Sequence, residues 1–146
     1  TFKFTTTTST ADWKTFTMST ADSSSYPFTI KYPTAYTAAR TGQDGNAVAV
    51  FTNTSSNKIT IVSLTGDYNT RKTALGESYT ISDEKTQTIN GNQAKSFTAT
   101  SKGQESDQAG IHYLVYQNTI APYEMYGLSS LQSDMNNMLS TLQFTK

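Results

Sequence analysis

The sequence predicts an α+β, strand-rich fold, in which an antiparallel β-sheet is covered by a C-terminal helix and a short middle helix. Several segments alternate apolar and polar residues with the two-residue period of a strand. One segment near the C-terminus changes to helical spacing. Roughly 30% of the chain is Thr or Ser, and β-branched Thr fits a pleated sheet better than a helix.

The first strands are marked by large apolar side chains. Trp13, Phe16 and Met18 indicate a short, irregular strand. Strict alternation follows, and it places four apolar side chains on one face: Tyr26, Phe28, Ile30 and Tyr32. Because Pro27 has no amide hydrogen, we expect this second strand to start at Pro27 or to lie at a sheet edge.

The middle of the chain predicts a hairpin and a short helix. The apolar segments 47–52 and 58–64 are separated by a polar turn, as in a hairpin with a long loop. The segment 67–79 combines polar and apolar residues around Gly76. It predicts only a short helix, over residues 70–75.

The pair Asn90-Gly91 predicts a tight hairpin between segments 85–89 and 94–100, because Asn-Gly is preferred where both central residues need positive φ. The Gly-bounded loop 102–110 then leads to a strand over residues 111–117. This strand carries apolar residues at successive positions, so both of its faces are apolar. We therefore expect a central strand that is covered on each side.

After Pro122 the spacing of the apolar residues changes from the two-residue period of a strand to the spacing of a helix. Five apolar residues at helical spacing predict a helix over residues 130–140: Leu128, Leu131, Met135, Met138 and Leu139. Ser129 and Gln132 have the spacing of a capping box at its start.

The first five residues, Thr-Phe-Lys-Phe-Thr, resemble residues 141–145, Thr-Leu-Gln-Phe-Thr, whose alternation predicts a closing strand. The Thr- and Ser-rich stretch 5–10 is typical of an extended linker. We interpret residues 1–10 as a terminal strand and linker, the end of a preceding repeat, and residues 11–146 as a single globular domain.

The composition excludes several classes of function. The chain carries 11 basic and 11 acidic residues without a basic cluster, so the electrostatic footprint of nucleic-acid binding is missing. Its apolar runs are far shorter than the roughly 18 residues of a membrane span. No cysteine is present, which excludes disulfides and cysteine metal sites. The Thr and Ser bias predicts an extracellular or cell-surface location, with a secretion leader outside this chain.

His112 is the only histidine, so a site built on several imidazoles is excluded and a catalytic triad would need this residue. Its place within a predicted strand favours a structural role. The chain has no nucleophile-elbow, phosphate-loop or dinucleotide motif. We therefore expect no enzyme activity, no catalytic residue, and no cofactor or metal site.

Two acidic pairs could supply paired carboxylates or calcium ligands: Asp83 with Glu84, and Glu105 with Asp107. Both pairs fall in predicted loops beside lysine, which favours solvated loop charge, and the same holds for Asp44 and Asn46. Asn53 opens the glycosylation sequon Asn-Thr-Ser in a predicted turn, where it would be accessible.

Four tyrosines lie close together in the sequence and could form a ligand face: Tyr113, Tyr116, Tyr123 and Tyr126. Tyrosine combines a large contact area with a polar tip, which suits a binding surface. Packing within the sheet is the other interpretation of the same four residues.

Several segments resemble the PsbP-like family, which is named for an extrinsic subunit of photosystem II. Two of them lie near the start of the chain: Trp-Lys-Thr-Phe at 13–16 and Tyr-Pro-Phe-Thr-Ile-Lys-Tyr-Pro at 26–33. The others are the Ile-Asn-Gly-Asn-Gln-Ala hairpin at 89–94, the Tyr-Leu-Val-Tyr strand at 113–116, and the helix-to-strand junction at 138–144. The resemblance covers residues 13–144 and implies an antiparallel sheet sandwiched between helices. Its motifs are packing motifs, so it implies no catalytic or cofactor residue.

Two functions from different classes are open at this point. In the first, the protein is a non-catalytic structural or interaction module of an extracellular surface protein, repeat array or filament, whose partners are neighbouring copies or flanking domains of the same protein. Phe2, Lys3 and Phe4 would then add as a β-strand to a neighbour's sheet. In the second, it is a stand-alone bacterial secreted or lipoprotein binding module with a tyrosine-lined ligand site.

Overall fold

The computed structural model describes residues 10–18, 26–41, 47–64, 66–103 and 106–145. The strands in these ranges are β1 (Lys14–Met18), β2 (Phe28–Tyr32), β3 (Thr37–Arg40), β4 (Ala47–Thr52), β5 (Lys58–Ser63), β6 (Tyr79–Ile89), β7 (Asn92–Ser101), β8 (Gly110–Gln117), β9 (Ile120–Gly127) and β10 (Gln143–Phe144). The helices are α1 (Tyr68–Gly76) and α2 (Gln132–Leu139), and the 3₁₀ turn Ser129–Leu131 precedes α2. The predicted α+β, strand-rich class is confirmed.

Seven strands form one antiparallel sheet in the order β3-β4-β5-β9-β8-β7-β6. The hairpin predicted at Asn90-Gly91 is confirmed, because these residues have φ values of 49° and 79° between β6 and β7. The strand predicted over residues 111–117 is β8, and it lies between β7 and β9. Its first six residues are buried, so both of its faces are covered as expected.

Strand β9 contains Pro122, and no strand was predicted there. Its register against β8 shifts between Val115 and Gln117, so Ala121 and Pro122 lie opposite the single residue Tyr116. A bulge of this kind needs no ladder hydrogen bond from the extra residue. A proline can therefore occupy an inner strand at this one place.

Strands β1, β2 and β10 form a second, smaller antiparallel sheet in the order β1-β2-β10. Strand β2 begins directly after Pro27, as expected, and three of its alternating side chains are buried: Phe28, Ile30 and Tyr32. The closing strand is confirmed but is shorter than predicted, because only Gln143 and Phe144 pair with β2.

Helix α1 is longer than the predicted segment 70–75. It begins after Asp67, whose side chain accepts a hydrogen bond of 2.8 Å from the Thr70 amide and caps the helix. Leu75 is its buried residue and packs against the large sheet.

The C-terminal helix is confirmed, but the predicted capping box is wrong. The 3₁₀ turn Ser129–Leu131 leads directly into α2, and neither has a side-chain cap hydrogen bond. Ser129 lies inside this turn rather than at the start of the α-helix, so it cannot act as its cap. Helix α2 buries Met135, Met138 and Leu139.

The large sheet separates two apolar cores. One core joins α2, the small sheet and one face of the large sheet, and includes Phe28, Phe51, Ile59, Tyr113, Met125 and Met135. The other lies beneath α1 on the opposite face and consists of Leu75, Tyr79, Phe97, Ala99, Leu114 and Ala121. The large sheet is thus sandwiched between helices, as the family resemblance implied.

Candidate functional site

A buried ionic network lies between α1 and the large sheet. Arg71 of α1 contacts both carboxylate oxygens of Glu124 on β9, with Nε to Oε2 at 2.7 Å and Nη2 to Oε1 at 3.0 Å. His112 of β8 places Nδ1 at 2.6 Å from Glu124 Oε1. The side chains of His112 and Glu124 are fully buried. Two basic side chains thus share one buried acid between α1 and the sheet.

The His112 ring is held on every side. Its Nε2 lies 2.6 Å from the backbone oxygen of Gln108, which can only accept, so Nε2 carries a proton and donates it. One further proton must lie between Nδ1 and Glu124. Phe97 and Tyr126 from the neighbouring strands stack on the two ring faces, with centroid distances of 4.8 and 5.1 Å. Both nitrogens and both faces of the imidazole are therefore occupied.

Glu124 is the charged centre of this network. Burial alone would raise its pKa, but hydrogen bonds from His112 and Arg71, together with their charge, outweigh burial and hold the pKa below the usual value. Glu124 is therefore ionised at neutral pH in the folded protein.

A cavity of about 500 Å³ lies beside the network, and we call it the α1 cavity. Its polar wall includes Arg71, Gln108 and Tyr126, and its apolar wall includes Val62 and Leu64. The Gln108 side-chain oxygen accepts a hydrogen bond from Arg71 Nη2, so the polar wall is continuous with the buried network.

A polar groove of about 380 Å³ lies on the opposite face of the sheet, between β6, β7 and α2. The Tyr113 hydroxyl donates a 2.6 Å hydrogen bond to Asn136 Oδ1 at its base. Gln87, Ser96 and Gln132 also line this groove.

The four tyrosines of the predicted ligand face do not share a surface. Tyr113 and Tyr123 belong to the core under α2, where the Tyr123 hydroxyl donates to the backbone oxygen of Tyr26 at 2.8 Å. Tyr116 and Tyr126 lie on the α1 side, where Tyr116 packs against the second core and Tyr126 stacks on His112. The expectation of one tyrosine-lined face is corrected, because neighbouring strand positions alternate between the two faces.

The predicted loop position of Asp83 and Glu84 is wrong. Both lie within β6 at a bulge, where the register against β7 shifts between Ser82 and Lys85 and Asp83 has a φ of 52°. Glu84 Oε1 accepts hydrogen bonds from Lys72 Nζ at 2.7 Å and from the Tyr68 hydroxyl at 2.6 Å. Asp107 is exposed, whereas Glu105, Asp44 and Asn46 lie outside the described residues.

Asn53 lies in the turn between β4 and β5, as predicted. Its side-chain oxygen accepts hydrogen bonds from the backbone amides of Ser55 at 3.0 Å and Asn57 at 2.9 Å. The side chain therefore holds the turn in shape. Phe2, Lys3 and Phe4, the residues predicted to add as a strand, lie outside the described residues.

Arg71, Gln108 and Glu124 were not singled out from the sequence. Arg71 and Glu124 are separated by 53 positions, so no local pattern joins them. One signal was present: Glu124 is an acid within an apolar run of strand residues, and a buried acid needs a basic partner.

Across residues 10–18, 26–41, 47–64, 66–103 and 106–145, no three His, Asp or Glu side chains are close enough to hold a metal ion. In the same part of the chain, no helix has both the length and the apolar character needed to cross a membrane.

No protein-family model and no curated protein matches the chain. Among solved structures, the fold is similar to the solution structure of cyanobacterial PsbP (CyanoP) from Synechocystis sp. PCC 6803, with a TM-score of 0.56 and 7% sequence identity. The similarity covers 91% of this chain and 92% of that chain. At this identity the likeness concerns the arrangement of strands and helices, not the chemistry of a site. The protein has a PsbP-like fold.

Proposed function

We propose that the protein is a non-catalytic structural or interaction module of an extracellular surface protein, and that a terminal β-strand links it to neighbouring copies. The observation that carries this proposal is the environment of residues 141–145, which we call the β10 slot. Strand β2 forms one side of the slot, and the hairpin turn at Asn90 lies on the other.

Both ends of the β10 slot are held by hydrogen bonds. The Thr141 hydroxyl accepts a bond of 2.8 Å from the Lys31 amide. The Thr145 amide donates a bond of 2.7 Å to the backbone oxygen of Pro27. The Thr141 bond depends on a hydroxyl, whereas the Thr145 bond depends only on the backbone.

The middle of the slot has one buried apolar position, one aromatic contact and one exposed position. Leu142 is buried, and its backbone oxygen accepts a 2.7 Å hydrogen bond from Asn90. Phe144 stacks on Tyr123, with a centroid distance of 6.4 Å. Gln143 is exposed, so a polar side chain of any length fits there.

The first five residues of the chain have the side chains that this slot requires. Thr1 and Thr5 correspond to the two threonines, Phe4 to the stacking aromatic residue, and Phe2 to the buried apolar residue. Lys3 corresponds in sequence to the exposed Gln143. A strand of this sequence can therefore make corresponding contacts in the β10 slot of another copy, by strand addition, when that copy's own residues 141–145 do not occupy the slot.

The non-catalytic part of the proposal is supported by the state of His112. Each nitrogen faces an oxygen at 2.6 Å, and each ring face is covered by an aromatic ring. A general base needs a nitrogen within reach of a substrate proton, and this geometry offers none. The extracellular location is supported by the high content of Thr and Ser.

A double substitution tests whether the sequence of residues 1–5 fits the β10 slot. Leu142→Phe together with Gln143→Lys gives residues 141–145 the sequence of residues 1–5. We expect a loss of about 1–3 kcal/mol in the free energy of unfolding, as for a larger apolar side chain that enters a packed site. The matched control is Leu142→Ser, which places a hydroxyl at the buried position. The fit is refuted if urea unfolding shows that the double variant loses as much stability as the control.

Shortening the chain after Ser140 tests the link between copies. The shortened protein has an open β10 slot, so we expect residues 1–5 of one copy to enter the slot of the next and to form head-to-tail oligomers. Phe4→Ser in the shortened chain should abolish these oligomers, and Lys3→Ser should leave them unchanged. Sedimentation velocity measures the size distribution, and oligomers that persist with Phe4→Ser would contradict strand addition.

The second function predicted from the sequence, a ligand-binding module, is favoured by one observation. Tyr126 and Arg71 line the α1 cavity, whose volume of about 500 Å³ is within the usual range for small-molecule sites.

A further inference from the structure

We propose that the α1 cavity binds the carboxylate group of a small aliphatic molecule. The proposal is independent of strand addition, because the β10 slot and the cavity involve different residues. It rests on three hydrogen-bond donors among the side chains of the cavity, on apolar side chains that line the same cavity, and on a guanidinium group that the protein holds in a fixed orientation.

The guanidinium of Arg71 is the first donor. Its Nε and Nη2 are engaged with Glu124 and Gln108, and no contact within the described residues uses Nη1. The side chain keeps 22% of its surface exposed and lines the cavity. An arginine that is already oriented loses little side-chain entropy when it binds a carboxylate, which it recognises better than lysine does.

Gln108 and Tyr126 supply the other two donors. Because the Gln108 oxygen accepts from Arg71, its amide nitrogen retains two N–H groups. Burial raises the pKa of Tyr126 and outweighs a hydrogen bond from Thr60, which lowers it, so the Tyr126 hydroxyl keeps its own proton to donate. A carboxylate only accepts hydrogen bonds and has two oxygens to do so, which matches a wall of donors.

The rest of the cavity sets the size and class of the ligand. Val62, Leu64 and Ala74 offer apolar surface for a branched hydrocarbon of a few carbons. Asp67 lies at the same cavity, with its carboxylate exposed and bonded to the Thr70 amide. A plain carboxylate would be repelled by Asp67, whereas an α-amino acid could place its ammonium group there.

The first test is an NMR titration of the full chain with isovalerate and with isovaleramide, its neutral isostere. We expect isovalerate to cause saturable shifts at the amides of Ser63, Gly66 and Gln108, and isovaleramide to bind at least about tenfold more weakly. Absence of saturable shifts, or equal binding of the two compounds, would overturn the proposal.

The second test is the variant Gln108→Glu, which keeps the oxygen that accepts from Arg71 and adds a negative charge to the donor wall. Isovalerate affinity should fall at least about tenfold. The matched control is Gln87→Glu in the polar groove on the opposite face, which should leave the affinity unchanged. Unaltered affinity in Gln108→Glu, with thermal unfolding unchanged, would overturn the proposed site.

The affinity for leucine shows whether the carboxylate belongs to an α-amino acid or to a plain carboxylate. If the ligand is an α-amino acid, leucine binds more tightly than isovalerate and Asp67→Asn removes the advantage. If the ligand is a plain carboxylate, leucine binds more weakly than isovalerate, and Asp67→Asn raises the affinity for isovalerate. Asparagine retains the helix cap, so this variant changes the charge and keeps α1 intact. Both results support a carboxylate site, and equal binding of leucine and leucinamide would contradict it.

Discussion

Replacing Gly110 with alanine is expected to cause a larger loss of stability than any other single substitution that we propose. Gly110 begins β8 with a φ of 133°, a region that residues with a side chain rarely adopt. A Cβ atom there would overlap the carbonyl group of Gly127 and lie 3.0 Å from Leu128 Cα. Both neighbours are backbone atoms and cannot rotate away. Strain and overlap together predict a loss of at least about 4 kcal/mol in the free energy of unfolding.

Gly76→Ala is the matched control for this substitution. Gly76 ends α1, and an added Cβ would meet no atom within 4 Å. Alanine is the better helix former, so we expect a gain of about 0.5–1 kcal/mol. Urea unfolding of both variants measures the contrast, and a Gly110→Ala protein as stable as the original would contradict the close approach of β8 and β9.

The substitution Glu124→Gln is expected to have the second largest effect. It leaves the buried His112 and the mostly buried Arg71 without the acid that they share. Removing one partner of a buried ion pair costs about 3–5 kcal/mol, because the remaining charge is uncompensated. We therefore expect a loss of about 3 kcal/mol at pH 7, measured by urea unfolding.

The same variant predicts a pH dependence. The pKa of Glu124 is lower in the folded protein than its usual value of 4.5, so folding favours the ionised form. Its contribution to stability is fully present above about pH 4.5 and is lost as the pH falls through the folded-state pKa. The stability difference between the original protein and Glu124→Gln should shrink below this pH. A constant difference from neutral to acid pH would contradict the role of Glu124.

Glu84→Gln provides the control for burial. Glu84 forms an ion pair with Lys72 at 2.7 Å, as close as the bond from Arg71 to Glu124, but both of its side chains are substantially exposed. Solvent screens exposed pairs, so this variant should lose far less stability than Glu124→Gln.

The parts of the fold that could be predicted depend on residues close together in the sequence. The hairpin at Asn90-Gly91 needs only two residues with positive φ, and α2 needs only its own helical spacing. Strand β9 could not be predicted, because Pro122 normally excludes an inner strand. It is tolerated at a bulge against β8, and a bulge exists only once the two strands have paired.

The candidate site was predicted less completely than the fold. His112 could be singled out because the chain has no second histidine. Its network with Arg71 forms only when α1 packs across the sheet, so its members carry no common sequence pattern. The tyrosines were predicted as one face because they are close in sequence, whereas strand alternation separates Tyr113 from Tyr116.

The small sheet joins two strands from the start of the described chain to one from its end, and this has a consequence for the order of folding. Most neighbours in the large sheet are also neighbours in sequence, so these contacts close short loops and can form early. Strand β10 can join β2 only after the whole domain has been synthesised. In a newly made copy, the β10 slot is therefore open for a time, and this is the interval in which the strand addition that we propose would take place.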